Sequence, residues 1–111
     1  MPADSDPSRY GDPLSRAHKK SRLGWARLAV AGQLDISTAL TFRRRLRAFR
    51  ASDTPVYVDL SQVEVMDSIG ARAVLDAVEA SRESTWCVEV EPPVSQQARR
   101  CLDLTKGESR R

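Results

Sequence analysis

Ser68 is the side chain whose position in this sequence offers the clearest chemistry. It directly follows Asp67, and from this point apolar residues recur at helical spacing, at Ala71, Val74 and Val78. A serine at the start of a helix has two ordinary uses. Its hydroxyl can cap the helix by accepting a backbone N–H, or it can carry a phosphoryl group, which open N–H groups and the helix dipole favour. Asp67 would repel such a phosphate. The sequence alone leaves both interpretations open.

Groups for catalysis or metal binding are scarce. The chain has one histidine, His18, and two cysteines, Cys87 and Cys101, each inside an apolar stretch. This set offers no zinc site, and we predict two core thiols in a reducing compartment. Ser68 has no base nearby in the sequence, and no glycine-rich phosphate loop accompanies it. We therefore expect no enzyme activity, no metal ion and no cofactor.

The elements that must position Ser68 follow from the hydrophobic pattern. Short apolar runs predict strands over residues 25–31, 56–60 and 86–90, the first of them covered on both faces. Amphipathic spacing predicts helices over 37–51, from 68 to about 82, and through 94–102. Residues 61–67 read as a loop or a short strand extension. Alternating strands and helices with short connections predict an α/β fold with a mostly parallel sheet.

Length and composition fit one domain. The chain has 111 residues, 41% of them hydrophobic, and no apolar run approaches the ~20 residues of a membrane helix. Residues 1–22 contain three prolines and few large apolar side chains, so we predict a disordered tail there. Residues 23–106 form the predicted domain, and residues 107–111 a frayed basic tail. Because the start of the chain lacks a secretory signal, we expect a cytoplasmic protein that does not bind membranes.

Charge is distributed unevenly along the chain. The formal net charge is +3, yet residues 56–91 hold eight acidic side chains and two arginines, whereas the first predicted helix holds five arginines and no acid. A basic nucleic-acid-binding module is one alternative that this pattern raises. A solvated helix face is the more ordinary meaning of such a run, and no predicted strand carries spaced aromatics for base stacking. We therefore do not expect nucleic acid as a partner.

Three short motifs occur in an order that resembles a known family. Gly32-Gln33-Leu34-Asp35-Ile36-Ser37-Thr38-Ala39 is similar to the segment that opens the family's first helix, and Asp59-Leu60-Ser61 to the end of one of its strands. Met66-Asp67-Ser68-Ile69-Gly70 matches an Asp-Ser-x-Gly motif at its second helix. The family is that of bacterial anti-sigma factor antagonists, single-domain members of the sulfate transporter and anti-sigma factor antagonist (STAS) group. The likeness spans roughly residues 25–105 and implies a small mixed, mostly parallel sheet backed by helices.

The resemblance also implies a function. Members of the family bind an anti-sigma factor that is itself an ATP-binding serine kinase, and this binding frees a sigma factor. The kinase's target corresponds to Ser68, so the phosphorylated form would be released until a serine phosphatase restores it. A second possibility within the family is a scaffold subunit of a signalling or lipid-transport complex that is never phosphorylated.

The surroundings of Ser68 follow partly from topology. Loops that leave parallel strands gather at one edge of a sheet, so we expect Asp35 and Thr38 near Ser68, although both could simply cap the first helix. The remaining candidates for the partner-binding and switch surface are Asp59, Asp67, Ile69, Gly70 and Arg72.

Several features differ from the family pattern. Ile69 stands where members commonly have a small polar residue, and Ala71-Arg72 where Leu-Gly is typical. Members also usually have an additional first strand, for which residues 13–22 are a poor match, and a further strand and helix after the third helix. We therefore expect a domain that lacks these terminal elements, with sheet edges that either are exposed and lower its stability or are completed by a partner.

Overall fold

Three strands and three helices alternate along the chain in the computed structural model, which describes residues 23–109. In order they are β1 (Ala26–Leu34), α1 (Ala39–Ala51), β2 (Val56–Met66), α2 (Ser68–Arg82), β3 (Val88–Glu91) and α3 (Gln96–Ser109). The predicted alternation is confirmed. The tail predicted over residues 1–22 lies outside the described residues, as do Arg110 and Arg111. Helix α3 continues through Ser109, into the segment predicted to be frayed.

The described strands form one parallel sheet in the order β1-β2-β3. Parallel neighbours cannot be joined by a tight turn, and α1 and α2 supply the required crossovers. Strand β2 is therefore central, with β1 and β3 beside it. The predicted α/β fold with a mostly parallel sheet is confirmed.

The core lies between the sheet and the helices. The alternate β2 residues Val56, Val58 and Leu60 point inward and are buried, and Val63 joins them after a register shift between β1 and β2. Side chains from all three helices join the same cluster, including Phe42 and Leu46 of α1, Val74 of α2 and Ala98 of α3. Because the helices share one core with one set of strand residues, they cover the same face of the sheet.

Strand β1 differs from its prediction. It was expected to be covered on both faces, but only Leu28 and Leu34 are buried, while Arg27, Ala29 and Ala31 are exposed. That expectation was wrong because the helices cover only one face of the sheet. The small side chains of Ala29 and Ala31 can lie on the uncovered face at little cost. Nor does the strand end at Gly32, which has a positive φ of 76° and lies beside a register shift within β1.

The other two strands begin or end away from their predicted positions. Strand β2 continues through residues 61–66, so the strand-extension interpretation of that segment is the correct one. Trp86 precedes β3 and is buried, and its indole Nε1–H donates to the Thr54 carbonyl at 2.7 Å. Cys87 and Cys101 are both only half-buried, so neither is the core residue that was predicted.

The helices within residues 23–109 bear on membrane spanning. None of the helices in this part of the chain has the length and apolar character that crossing a bilayer requires.

Candidate functional site

Helix α2 is capped by Asp67 and begins at Ser68. Asp67 has extended backbone angles, and its Oδ1 accepts the Gly70 N–H at 2.8 Å, as an N-cap does. Ser68 is the first helical residue and is exposed. Its hydroxyl forms no hydrogen bond with any other residue in the described part of the chain. The interpretation of Ser68 as the N-cap is therefore wrong, since the preceding carboxylate takes that role and leaves the hydroxyl accessible.

Asp67 also ties two loops together. Its second carboxylate oxygen, Oδ2, accepts the Ile36 N–H at 3.0 Å. This bond joins the loop between β1 and α1 to the start of α2. The parallel pairing of Leu34 with Met66 brings the same two chain segments together at the end of the sheet. The loop that contains Asp35 and Thr38 thus lies beside the first turn of α2.

The residues of that loop are held by their own hydrogen bonds. Oδ1 of Asp35 accepts from the Ser37 hydroxyl at 2.6 Å and from the Ser37 N–H at 3.0 Å. These bonds hold the pKa of the Asp35 carboxyl below its ordinary value. Thr38 Oγ1 accepts the Asp35 N–H at 3.0 Å and donates to the Gln33 carbonyl at 3.1 Å. Thr38 occupies the N-cap position of α1 but makes no side-chain capping bond, so both side chains shape the loop.

Gly70 is required by a close approach between α2 and β1. A Cβ atom added at this position would lie 2.0 Å from the Leu34 carbonyl oxygen and 2.7 Å from its carbon. Backbone atoms cannot move aside as a flexible side chain can, so no larger residue fits without displacing α2 or β1. The glycine therefore allows the serine-bearing turn to rest directly on the end of β1.

Three exposed apolar side chains come from the chain segments that meet at this turn, and we call them the apolar patch. They are Ile36 in the loop, Leu40 in the first turn of α1 and Ile69 in the first turn of α2, with exposed fractions of 73%, 55% and 46%. Exposed apolar side chains that form a contiguous patch are a feature of protein-binding surfaces. Ile36 and Leu40 were missed in the sequence, although Leu40 stands outside the buried face of α1 formed by Ala39, Phe42 and Leu46.

Asp59 lies away from this site. It is in the middle of β2, where it pairs with Arg27 and accepts from the Ser61 hydroxyl at 2.7 Å and the Ser61 N–H at 2.9 Å. Burial raises the pKa of its carboxyl, but the bonds from Ser61 and Arg27 outweigh that effect, so the pKa is lowered. The strand runs on from Asp59 to Met66 before the turn that carries Ser68. Asp59 therefore belongs to a structural ion pair rather than to the surroundings of Ser68.

Arg72, one turn after Ser68, connects α2 to its neighbours. Its Nη1 is 3.4 Å from Asp76 Oδ1, and its Nη2 is 3.5 Å from the Thr105 carbonyl in α3. Asp76 also accepts a hydrogen bond from Arg43 of α1, whose Nη2 lies 3.1 Å from Asp76 Oδ2. The Asp76 carboxylate thus pairs with two guanidinium groups, Arg72 at Oδ1 and Arg43 at Oδ2.

Metal binding finds no support in the described part of the chain. Within residues 23–109, no three histidine, cysteine, aspartate or glutamate side chains lie close enough together to hold a metal ion.

Comparison with known proteins gives a matching family model and a similar solved structure. The protein-family model described as "Mlab, STAS domain" matches residues 19–105, which include the loop, the apolar patch and the turn that carries Ser68. Among solved structures the chain is similar to one described as "Crystal Structure Analysis of Mglu", with 25% sequence identity and a TM-score of 0.53. That likeness covers 60% of this chain and 17% of the other, so the shared fold is a small part of a much longer protein.

Proposed function

The chain belongs to the STAS domain family, and on that premise we propose that it is an anti-sigma factor antagonist. Unmodified protein binds an anti-sigma factor that is also an ATP-binding serine kinase, and this binding frees a sigma factor. The kinase phosphorylates Ser68, and the phosphorylated protein no longer binds until a serine phosphatase removes the group. The protein acts by binding and carries out no chemistry of its own.

The observation that carries this proposal is the free hydroxyl of Ser68 beside the apolar patch. A kinase needs a hydroxyl that is exposed and not already engaged, and Ser68 meets both conditions because Asp67 caps the helix. Ile36 and Ile69 are exposed on the two segments that Asp67 joins. The Ser68 hydroxyl that would be phosphorylated and the apolar patch therefore belong to the same face of the molecule.

Phosphorylation at this position would change that face strongly. A phosphoserine carries a charge of about −1.5 to −2 at neutral pH. Burying such a charge against an apolar partner surface costs several kcal/mol unless the partner supplies cations. Together with the neighbouring Asp67 carboxylate, the phosphate would make this face strongly negative. Arg72, one turn away, is already engaged by Asp76 and by the Thr105 carbonyl. The modified protein is thus expected to lose its complex.

A second candidate is a scaffold subunit that is never phosphorylated. It is favoured by the position of Asp67, whose two oxygens are held beside Ser68 by the Gly70 and Ile36 N–H groups. A phosphate on Ser68 would lie next to a carboxylate that these two hydrogen bonds hold in place. In a scaffold the apolar patch would be a permanent docking face, and Ser68→Ala and Ser68→Asp would bind the partner equally well.

The two candidates are separated by a comparison of three purified baits in native lysate. One bait is unmodified, one carries phosphoserine at Ser68, and the control carries phosphoserine at Ser52, exposed just after α1. Helix α1 separates that site from the Ser68 face by about 20 Å. The antagonist proposal predicts capture of an ATP-binding kinase by the unmodified and Ser52 baits only. Equal capture of one partner by all three baits would establish the scaffold instead, and the absence of any kinase would contradict the antagonist role.

A further inference from the structure

Helix α1 presents a concentrated positive charge next to the apolar patch. It contains five arginines and no acidic residue. Two of them are engaged within the fold, Arg43 by Asp76 and Arg50 over the ring of Trp86, with its guanidinium carbon 5.7 Å from the ring centroid. The other three, Arg44, Arg45 and Arg47, are exposed and have no ion pair among residues 23–109. They are therefore available to a partner rather than used for stability.

Two of these arginines continue the line of the apolar patch. Leu40, Arg44 and Arg47 are four and three residues apart, so they follow one another along the same exposed side of α1. At 1.5 Å per residue, Arg44 and Arg47 lie about 6 and 10 Å along the helix from Leu40. Both arginines are close enough for a partner that covers Ile36, Leu40 and Ile69 to reach them.

We propose that the apolar patch together with Arg44 and Arg47 forms one docking face, and that it binds a protein whose own surface has exposed apolar side chains flanked by aspartate or glutamate. This inference rests on the proposed function, because it describes the surface by which the partner is recognised. Exposed apolar side chains supply the buried area, while the arginines select and orient the partner through charge complementarity.

The surroundings of the patch favour an acidic protein over a nucleic acid or a lipid bilayer. Asp35 and Asp67 lie in the same loop and turn as Ile36 and Ile69. A phosphate backbone or an anionic bilayer that reached the arginines and covered the patch would press further negative charge against these carboxylates. A protein surface can place its own acids over α1 and present an uncharged area to the carboxylate end. The mixture of charges thus fits a folded protein partner.

The test uses defined synthetic partners and the whole chain. Isotope-labelled protein is titrated by NMR, at low salt, with a helical peptide that has leucines on one side and glutamates flanking them. A matched peptide carries glutamine in place of every glutamate. The charge-reversal variant is Arg44→Glu with Arg47→Glu, and the control is Arg99→Glu with Arg100→Glu, two exposed positions on α3. Short duplex DNA and phosphatidylcholine vesicles containing phosphatidylglycerol are titrated under the same conditions.

The proposal predicts that the glutamate peptide binds about tenfold more tightly than the glutamine peptide, with signal changes at Ile36, Leu40 and Ile69. The Arg44/Arg47 variant is expected to lose that difference, whereas the α3 control keeps it. Equal affinity for the two peptides, an equal loss in the control, or signal changes confined to another face would overturn the inference. Tighter binding of the DNA or the vesicles would overturn it in favour of those partners.

The docking face at Arg44 and Arg47 and the phosphorylation switch at Ser68 can be tested separately. The same variants are compared with the phosphoserine-68 protein for binding to the kinase that the unmodified bait captures. If the Arg44/Arg47 variant binds normally and the phosphorylated protein does not, the docking face is wrong and the switch stands. If the arginine variant loses binding while phosphorylation has no effect, the docking face stands and the switch is wrong.

Discussion

Replacing Gly70 with alanine tests the close packing that positions Ser68. The added methyl carbon would lie 2.0 Å from the Leu34 carbonyl oxygen, and Cβ contacts below 3.0 Å are essentially never tolerated, so β1 or α2 must shift by at least 1 Å. Overpacking of this kind costs about 1–3 kcal/mol or more. The better helix propensity of alanine returns up to about 1 kcal/mol. We therefore expect a net loss of about 1–2 kcal/mol in the free energy of unfolding.

The assay is thermal unfolding followed by circular dichroism. For a domain of this size the expected loss corresponds to a Tm lower by about 4–16 °C. Gly107→Ala is the matched control, because Gly107 also lies in a helix but has no atom within 4 Å of an added Cβ. That variant is expected to be unchanged or slightly more stable. If Gly70→Ala is as stable as Gly107→Ala, helix propensity dominates at both sites and the reasoning about the Leu34 contact is refuted.

Two further predictions concern the carboxylates. Asp67→Ala removes the N-cap of α2 and the acceptor for the Ile36 N–H, so we expect the free energy of unfolding to fall by about 1–2 kcal/mol. Hydrogen exchange at the Ile36 and Gly70 amides should become faster, whereas Asp67→Asn should keep much of the cap. Unchanged exchange in Asp67→Ala would contradict the bridging role of this side chain. The pKa of Asp59 is lower in the folded chain than its ordinary value of 3.8, so it stabilises the fold above that pH and its contribution is lost as the pH falls towards the folded pKa. In urea unfolding at a series of acidic pH values, the free energy of unfolding should fall less steeply with decreasing pH for Asp59→Asn than for the unmodified chain. The same pH dependence in both proteins would show that the Asp59 interactions with Arg27 and Ser61 do not contribute to stability.

Helices and their order were largely predictable from the sequence. Apolar residues on one side of α1 and α2 gave both helices to within two residues, because the buried faces of these helices repeat with the helical period. The parallel sheet followed from the alternation of elements with short connections. Strand β1 was less predictable, since its alanines are compatible with a covered or an open face and only the neighbours of the strand decide between them.

The candidate site was predictable in part. Both Asp67 and Ser68 are good N-cap residues, and in the structure the cap is Asp67, which also accepts the N–H of Ile36, 31 positions earlier in the chain. The reason for Gly70 is likewise a contact with Leu34, 36 positions earlier in the chain. Local patterns contain no information on such pairs. The exposure of Ile36 and Leu40 depends on where the helices end over the sheet, which a sequence pattern does not specify.

The central claim is that a phosphate on Ser68 breaks the complex with a kinase partner. Its most direct test is the dissociation constant of the purified partner for protein with phosphoserine at Ser68, compared with phosphoserine at Ser52. Burial of an uncompensated charge in the docking face predicts binding weaker by a factor of about 30 or more for the Ser68 form. The Ser52 form should bind like unmodified protein. Equal dissociation constants for the two phosphorylated forms would contradict the account.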